Sequence, residues 1–440
     1  MRKTIRVSLL SLLSMLGCAK LDRPPIPPQV SFYGSEVDIR PQDQDLDCLI
    51  RLQFLPPREG MKQAVFYLHR QFRVNSVTGS DVSDWSFDRD SDSPVAFMPD
   101  ARPLSVRFLS ALDTRNGTEI TFEYGGKITE WSEWSPNVIS ADWVELGSYW
   151  PWFPFNADHG PFTFDIRVRI PENYNVCSAV WGEREGADWR FHQGASVKSM
   201  VLAASPALVS RRFTRPRRSV TVHSLTLSED TVARLGDDCF RIGSLLSRWF
   251  GKEESSSLVL IESGRAQGGG YARKGLVVLG GLSDSGYRER REGYIRYLGH
   301  EMAHAWWSGA SVRDWQDWIN EGFAEFSALM LVRSIFGEES FRKRLENKRQ
   351  NAADTAPIWG FERWDRSTPE KQQEIQAVLY DKGPVLLAEL EERLGSETFL
   401  AACRDLAGHV EKNTSLLLEV ISSRGGRDVA SWFETQLRIR

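Results

Sequence analysis

The chain has 440 residues, 41% hydrophobic and 26% charged, with a formal net charge of −4 and a pI near 6.1. At roughly 100–200 residues per domain, this length accommodates two or three cores. The composition is that of an ordinary globular protein and excludes a disordered, collagen-like or coiled-coil chain; the acidic balance argues against nucleic acid as a partner.

The first segment combines Arg2, Lys3 and Arg6 with a short apolar run from Val7 to Gly17. A membrane-spanning helix needs roughly 20 apolar residues, so the run reads as a signal peptide over 1–17. It ends in Met15-Leu16-Gly17-Cys18, which resembles a bacterial lipobox, with Cys18 as the residue lipidated after cleavage. Loss of the leader would take the net charge from −4 to −7. Residues 18–30, with Arg23-Pro24-Pro25-Ile26-Pro27-Pro28, read as a lipid anchor and a stiff tether. The expected location is the bacterial cell envelope, on the surface of a membrane. Ala19, which lacks the acidic side chain that holds lipoproteins in the inner membrane, tilts this toward the outer one. An oxidising compartment permits disulfides, and Cys48, Cys177, Cys239 and Cys403 allow three pairings or four buried thiols.

Residues 31–210 read as a β-sandwich domain. Ala64–Leu68, Glu119–Tyr124 and Phe162–Ile170 are strand candidates; the last alternates apolar and polar residues with period two. Asn116-Gly117 and Gly125-Gly126 supply turns. Trp131, Trp134, Trp143, Trp150 and Trp152 read as buried anchors, with a ligand-binding aromatic face as the other possibility. The run Arg211-Arg212-Phe213-Thr214-Arg215-Pro216-Arg217-Arg218 reads as a solvated basic linker, residues 211–220, rather than a lipid-binding patch. From residue 221 the period changes. Val232, Leu235, Cys239, Ile242, Leu246 and Trp249 share a helical face that Gly251 ends. Leu258–Ile261 and Leu276–Leu279 are short strands, and the pattern from about 288 onward is mostly helical.

The decisive residues are His300-Glu301-Met302-Ala303-His304. Helical positions i and i+4 share a face, so both imidazoles can reach one metal ion while Glu301 stays free to handle a water. Two histidines leave a catalytic zinc short of a third protein ligand. Glu321, in Trp318-Ile319-Asn320-Glu321-Gly322-Phe323-Ala324 and 17 positions after His304, is the candidate. Glu325 lies one turn further along the same face and can accept a hydrogen bond from a ligating histidine.

These segments resemble the HExxHxW and WxNEGFA motifs of the aminopeptidase N-like gluzincin zinc peptidases, with an interval two residues shorter than is usual there. Tyr380-Asp381-Lys382-Gly383-Pro384 is similar to the family's YxKG segment, and Trp150 to Ile170 to the end of its N-terminal β domain. The resemblance implies an α+β protein: an N-terminal antiparallel β-sandwich followed by a thermolysin-like, mostly helical peptidase domain over 221–440. It makes His300, His304 and Glu321 the ligands of one zinc ion per chain. Glu301 becomes the general base that drives attack of a zinc-bound water on a peptide or protein substrate, and Tyr380 the donor to the developing oxyanion.

The family grips the substrate's α-amine partly through the glutamate of a GxMEN loop. Here the corresponding stretch is Gly268-Gly269-Gly270-Tyr271-Ala272-Arg273, with Ala272 in the glutamate's place and a guanidinium next to it. Gly269, Gly270 and Tyr271 are the expected substrate contacts, and Glu262 a conceivable replacement for the missing carboxylate. Only about 40 residues follow Gly395, which suggests an open cleft able to admit longer peptides. Two other readings stand beside the peptidase: a zinc hydrolase of a non-peptide bond, and a non-enzymatic envelope binding protein on the same scaffold. Retention of Glu301 and Tyr380, neither of them a ligand, speaks against the second. Side-chain preference and oligomeric state are not legible in these residues.

Overall fold

A computed structural model describes residues 29–440, apart from 96–97, 132–134, 148–150, 156–159, 253–256, 266–268 and 366–367. The leader, Cys18 and most of the tether therefore lie outside the described residues, as do Trp134 and Trp150. Among the described residues no helix is long and apolar enough to cross a membrane.

The N-terminal unit is built from strands, as the alternating patterns predict. Its largest sheet has seven strands in the order Gly182–Glu185, Asp188–Val197, Phe162–Arg169, Gln29–Arg40, Asp45–Leu55, Thr118–Lys127, Arg73–Thr78. Phe162, Phe164, Ile166 and Val168 all point inward, and the residues between them face outward. The sheet is not wholly antiparallel: Gln29–Arg40 and Phe162–Arg169 run parallel, with Phe32 opposite Thr163. Alternation fixes which face is buried but not which strand lies alongside, so the sequence pattern could not show this. A three-stranded sheet (Met61–His69, Ala101–Leu112, Val82–Phe87) and a four-stranded one complete the unit. Trp143 and Trp152 are buried anchors. Cys48, Cys177, Cys239 and Cys403 are four buried free thiols, so none of the three disulfide pairings is formed.

The basic run is a correction. Val209–Arg215 and Arg218–Ser224 form a hairpin, not a linker, with Arg212 opposite Thr221. It opens a five-stranded sheet in the order Val209–Arg215, Arg218–Ser224, Ser257–Glu262, Leu276–Gly280, Gly269–Arg273. The three central strands are parallel, and the last pairs antiparallel as an edge. The run is nonetheless well solvated. An outer strand rich in arginine resists pairing with another chain, which accounts for the charge without a linker.

This sheet joins the two halves. Leu258, Leu260, Val277 and Leu279 face the helical core. Val259, Ile261, Leu276 and Val278 face Trp143, Val201, Ala203 and Leu208 of the N-terminal unit. Helix Glu229–Phe250 crosses between parallel strands; Ser228 caps its start and Gly251, at φ 97°, ends it, as the sequence predicts. Val232, Leu235, Cys239, Ile242 and Leu246 are its buried stripe.

Candidate metal centre

The helix Arg291–Ala303 carries His300 and Glu301 in its last turn, and His304 caps its C-terminal end. It packs on the helix Asp317–Phe336, which places Glu321 in its second turn. The two approach closely because Gly299 has no side chain: a Cβ there would lie 2.4 Å from Leu331 Cδ1. A second close approach brings in Tyr380. A Cβ on Gly383 would lie 3.3 Å from the Cα of Gly322, so the backbones after Glu321 and after Tyr380 meet directly. The glycines of the Asn-Glu-Gly and Lys-Gly segments are thus packing requirements. Tyr380 does not start a helix. It sits inside a π-helical turn, Ala377–Lys382, that runs straight into the helix Gly383–Leu394.

His300 Nε2 lies 3.3 Å, and His304 Nε2 3.7 Å, from Glu321 Oε2. Each histidine's other nitrogen is engaged: His300 Nδ1 with Glu325 Oε2 at 3.1 Å, and His304 Nδ1 with the Trp307 carbonyl at 3.0 Å. With Nδ1 donating to those acceptors, Nε2 is in each case the nitrogen left for a metal, which would take the place of any proton held there against Glu321. The donor atoms lie within 4.8 Å of one another. A tetrahedral zinc with bonds of about 2.0–2.1 Å spaces its ligands about 3.3 Å apart, so the set fits this ion.

Electrostatics tell the same story. Burial disfavours the charged form of His300, but the carboxylates of Glu321 and Glu325 outweigh it and raise its pKa to about 10. Burial pushes Glu321 up, yet the two histidines and a hydrogen bond from Tyr380 pull it down to about 2. These groups compensate one another in a site built for a cation. Burial raises Glu301, the neighbouring histidines oppose it, and it takes no part in the donor set. The Tyr380 phenol, its ring 5.6 Å from that of His300, is raised well above its usual value by burial and by Glu321.

The structure brings together His300, Glu301, His304, Glu321, Glu325 and Tyr380, but it turns the Tyr271 side chain into a separate core. The Tyr271 side chain is buried in the core between the two halves; of the other two expected substrate contacts, Gly269 is exposed at the sheet edge and Gly270 half-buried. Alternation along a five-residue strand had left open which face was which. Glu262 is also a correction. It is buried and accepts from the backbone of Leu225 at 2.6 Å and Thr226 at 3.2 Å, which fastens a loop and leaves it far from the role of amine contact. Ala272 lies on the edge strand beside the site, and the guanidinium of Arg273 acts on Glu301.

Other residues were missed. Asn320 ties the loop after His304 to the Glu321 helix: it accepts from the Ala310 N–H and donates to the Ala310 carbonyl, both at 3.1 Å, and donates to Asp317 Oδ1 at 2.9 Å. Arg363 holds the other oxygen of Asp317 at 2.7 Å. Glu145, fully buried, crosses from the N-terminal unit to Ser263 Oγ at 2.5 Å. A polar side chain directly before a ligand was the only local signal for any of these, and it marked Asn320.

A β-rich N-terminal unit followed by a helical unit that carries the donor set is the order that the sequence motifs led one to expect. Residues 282–435 match the Peptidase family M1 domain. Over 112 residues the chain is 28% identical to endoplasmic reticulum aminopeptidase 2 of Bos taurus, and over 111 residues 30% identical to a probable aminopeptidase 2 of Sulfurisphaera tokodaii. Those segments cover 24% and 23% of this chain and only 11% and 14% of the relatives, so the chain matches a small part of each. Nearly the whole chain superposes on solved structures. An M1 zinc metallopeptidase from Deinococcus radiodurans gives a TM-score of 0.72 at 18% identity, with 94% of both chains covered. Leukotriene A4 hydrolase of Saccharomyces cerevisiae gives 0.71 at 15%, covering 93% of this chain and 68% of that one.

Proposed function

We propose that this chain is a zinc-dependent metallopeptidase in which Glu301 is the general base. The observation that carries the reading is the convergence of His300, His304 and Glu321 with a buried carboxylate, Glu301, that is not one of the ligands. Zinc held by those three residues supplies Lewis acidity toward a carbonyl and acidifies water. Glu301 takes the proton of the attacking water and passes it to the leaving amine. Tyr380 donates its phenolic hydrogen to the oxygen that gains charge as the carbonyl is attacked. Glu325 fixes the tautomer and orientation of His300, and the Trp307 carbonyl does so for His304. Peptides are supported as the substrate class by the aminopeptidase names of the matched relatives, and by a mutant of the D. radiodurans protein bound to a Tyr-Ser-Ala substrate.

Hydrolysis is better equipped than recognition of an N-terminus. Ala272 offers no carboxylate to an ammonium group, and Arg273 next to it repels one. We expect peptides with acylated N-termini to be cleaved at rates within about tenfold of their free-amine counterparts, since the charged contact that blocking would remove, worth about 1.5–3 kcal/mol, is the one Ala272 does not offer. Product profiles from a mixed library of free and blocked peptides test this. Cleavage confined to the first bond of free-amine peptides would overturn it. The envelope location belongs to the same proposal and rests on the leader and Cys18; incorporation of a labelled acyl chain that Cys18→Ser abolishes is its test.

A further inference from the structure

The side chain of Lys348 stands behind the site, on the helix Glu338–Ala352, and is nearly buried. Its ammonium has three hydrogens and three acceptors: Glu325 Oε1 at 2.8 Å, the Tyr380 carbonyl at 2.6 Å and Asp381 Oδ1 at 3.2 Å. Two of these belong to different halves of the machinery. Glu325 uses its other oxygen to hold His300 Nδ1, while Arg296 shares Oε1 with Lys348. The Tyr380 carbonyl belongs to the turn that aims the phenol.

That carbonyl needs an outside donor for a reason written in the sequence. In a helix it would accept from the N–H four residues on, and that residue is Pro384, which has none. The π-helical turn here is a departure from α-helical pairing that itself requires holding. Lys348 fills the vacancy with a charged donor, a stronger bond than a neutral one and one that three fixed acceptors hold in a single direction.

We propose that Lys348 is a positioning residue that ties the support of the zinc ligand His300 to the backbone turn carrying Tyr380, so that ligand geometry and oxyanion donor are set by one ammonium. The inference rests on the peptidase reading above and deepens it. It differs from a general packing role because it predicts two separate effects, each passing through a named partner.

The experiment uses the zinc-loaded full chain and the variants Lys348→Met and Lys348→Arg, alone and combined with Glu325→Gln or Tyr380→Phe. Two quantities are read: the rate of zinc release to a chelator, and kcat and KM for a peptide. Lys348→Met is expected to weaken zinc retention about 10–100-fold, the usual effect of losing support behind a ligand. It should also lower kcat at least tenfold with KM changed less than threefold. In the Glu325→Gln background the zinc effect of Lys348→Met should vanish, and in the Tyr380→Phe background its kcat effect should shrink below threefold. Lys348→Arg, which keeps the charge, should fall between the two and guards against a Met variant that fails to fold. Unchanged zinc release and kcat in a folded Lys348→Met protein, or effects equally large in both backgrounds, would overturn the inference. A wild-type chain that binds no zinc would instead overturn the peptidase reading.

Discussion

Removing the side chain of Asn320 isolates the cost of the loop that separates the two ligand-bearing helices. Asn320→Ala deletes three hydrogen bonds in a buried region and leaves the N–H and carbonyl of Ala310 without their partner. Each buried group stranded this way costs about 1–3 kcal/mol, so the expected loss is about 4 kcal/mol in unfolding free energy. At about 2–4 °C per kcal/mol for a domain of this size, the melting temperature of the catalytic unit should fall by about 8–16 °C. Asn320→Asp should be worse at neutral pH than Asn320→Ala. It keeps the acceptor for the Ala310 N–H but turns the donor into an oxygen facing the Ala310 carbonyl and the Asp317 carboxylate, so that three acceptors meet with no hydrogen among them. Lowering the pH until one carboxyl of that pair holds a proton should narrow the gap between the variants. Glu321 follows Asn320 directly, so zinc retention should drop alongside stability. Urea unfolding with zinc analysis of each variant is the assay. A loss within about 0.5 kcal/mol for Asn320→Ala, as for an ordinary surface substitution, would refute the reasoning.

Tyr380→Phe should cut kcat by about 10²–10³ while zinc content stays that of the parent, the outcome expected of the proposed oxyanion donor that is not itself a ligand; steady-state kinetics with metal analysis decides it. Stability should also report on the buried His223, which shares a 2.7 Å hydrogen bond with Ser210 and whose pKa burial lowers to about 4. The unfolded chain binds this proton near pH 6.5 and the folded one does not, so stability is full above about 6.5 and is lost as pH falls toward 4, by up to about 3 kcal/mol. His223→Gln should flatten that part of the stability curve measured by denaturant titration. A slope unchanged by the substitution would assign the pH dependence to other groups.

Different parts of this molecule were legible to different degrees, for physical reasons. The i, i+4 spacing of His300 and His304 is a local property of a helix, and a third ligand type follows from what zinc requires; both could be read without a fold. Tyr380 could be located only through its resemblance to a known motif, because what matters is its approach to Glu321 across the Gly322–Gly383 contact. The basic run reads as a linker because its outer strand is exposed, although in the returning strand the five residues from Val220 to Ser224 are all buried. Tyr271 and Glu262 were misplaced because a short strand does not disclose which face meets another domain. Lys348 is invisible locally: its acceptors lie 23 and 32 residues away, and the only trace in the sequence is the missing N–H of Pro384.

The central claim is that zinc held by His300, His304 and Glu321 works with Glu301 to cleave peptide bonds. Zinc content and peptide hydrolysis of Glu301→Gln, measured on the same preparation as the parent, test it most directly. The account predicts about one zinc per chain in both proteins and a fall in kcat of at least 10² in the variant, the scale of a lost general base. Full hydrolysis by Glu301→Gln, or a parent protein that cleaves peptides without the metal, would contradict it.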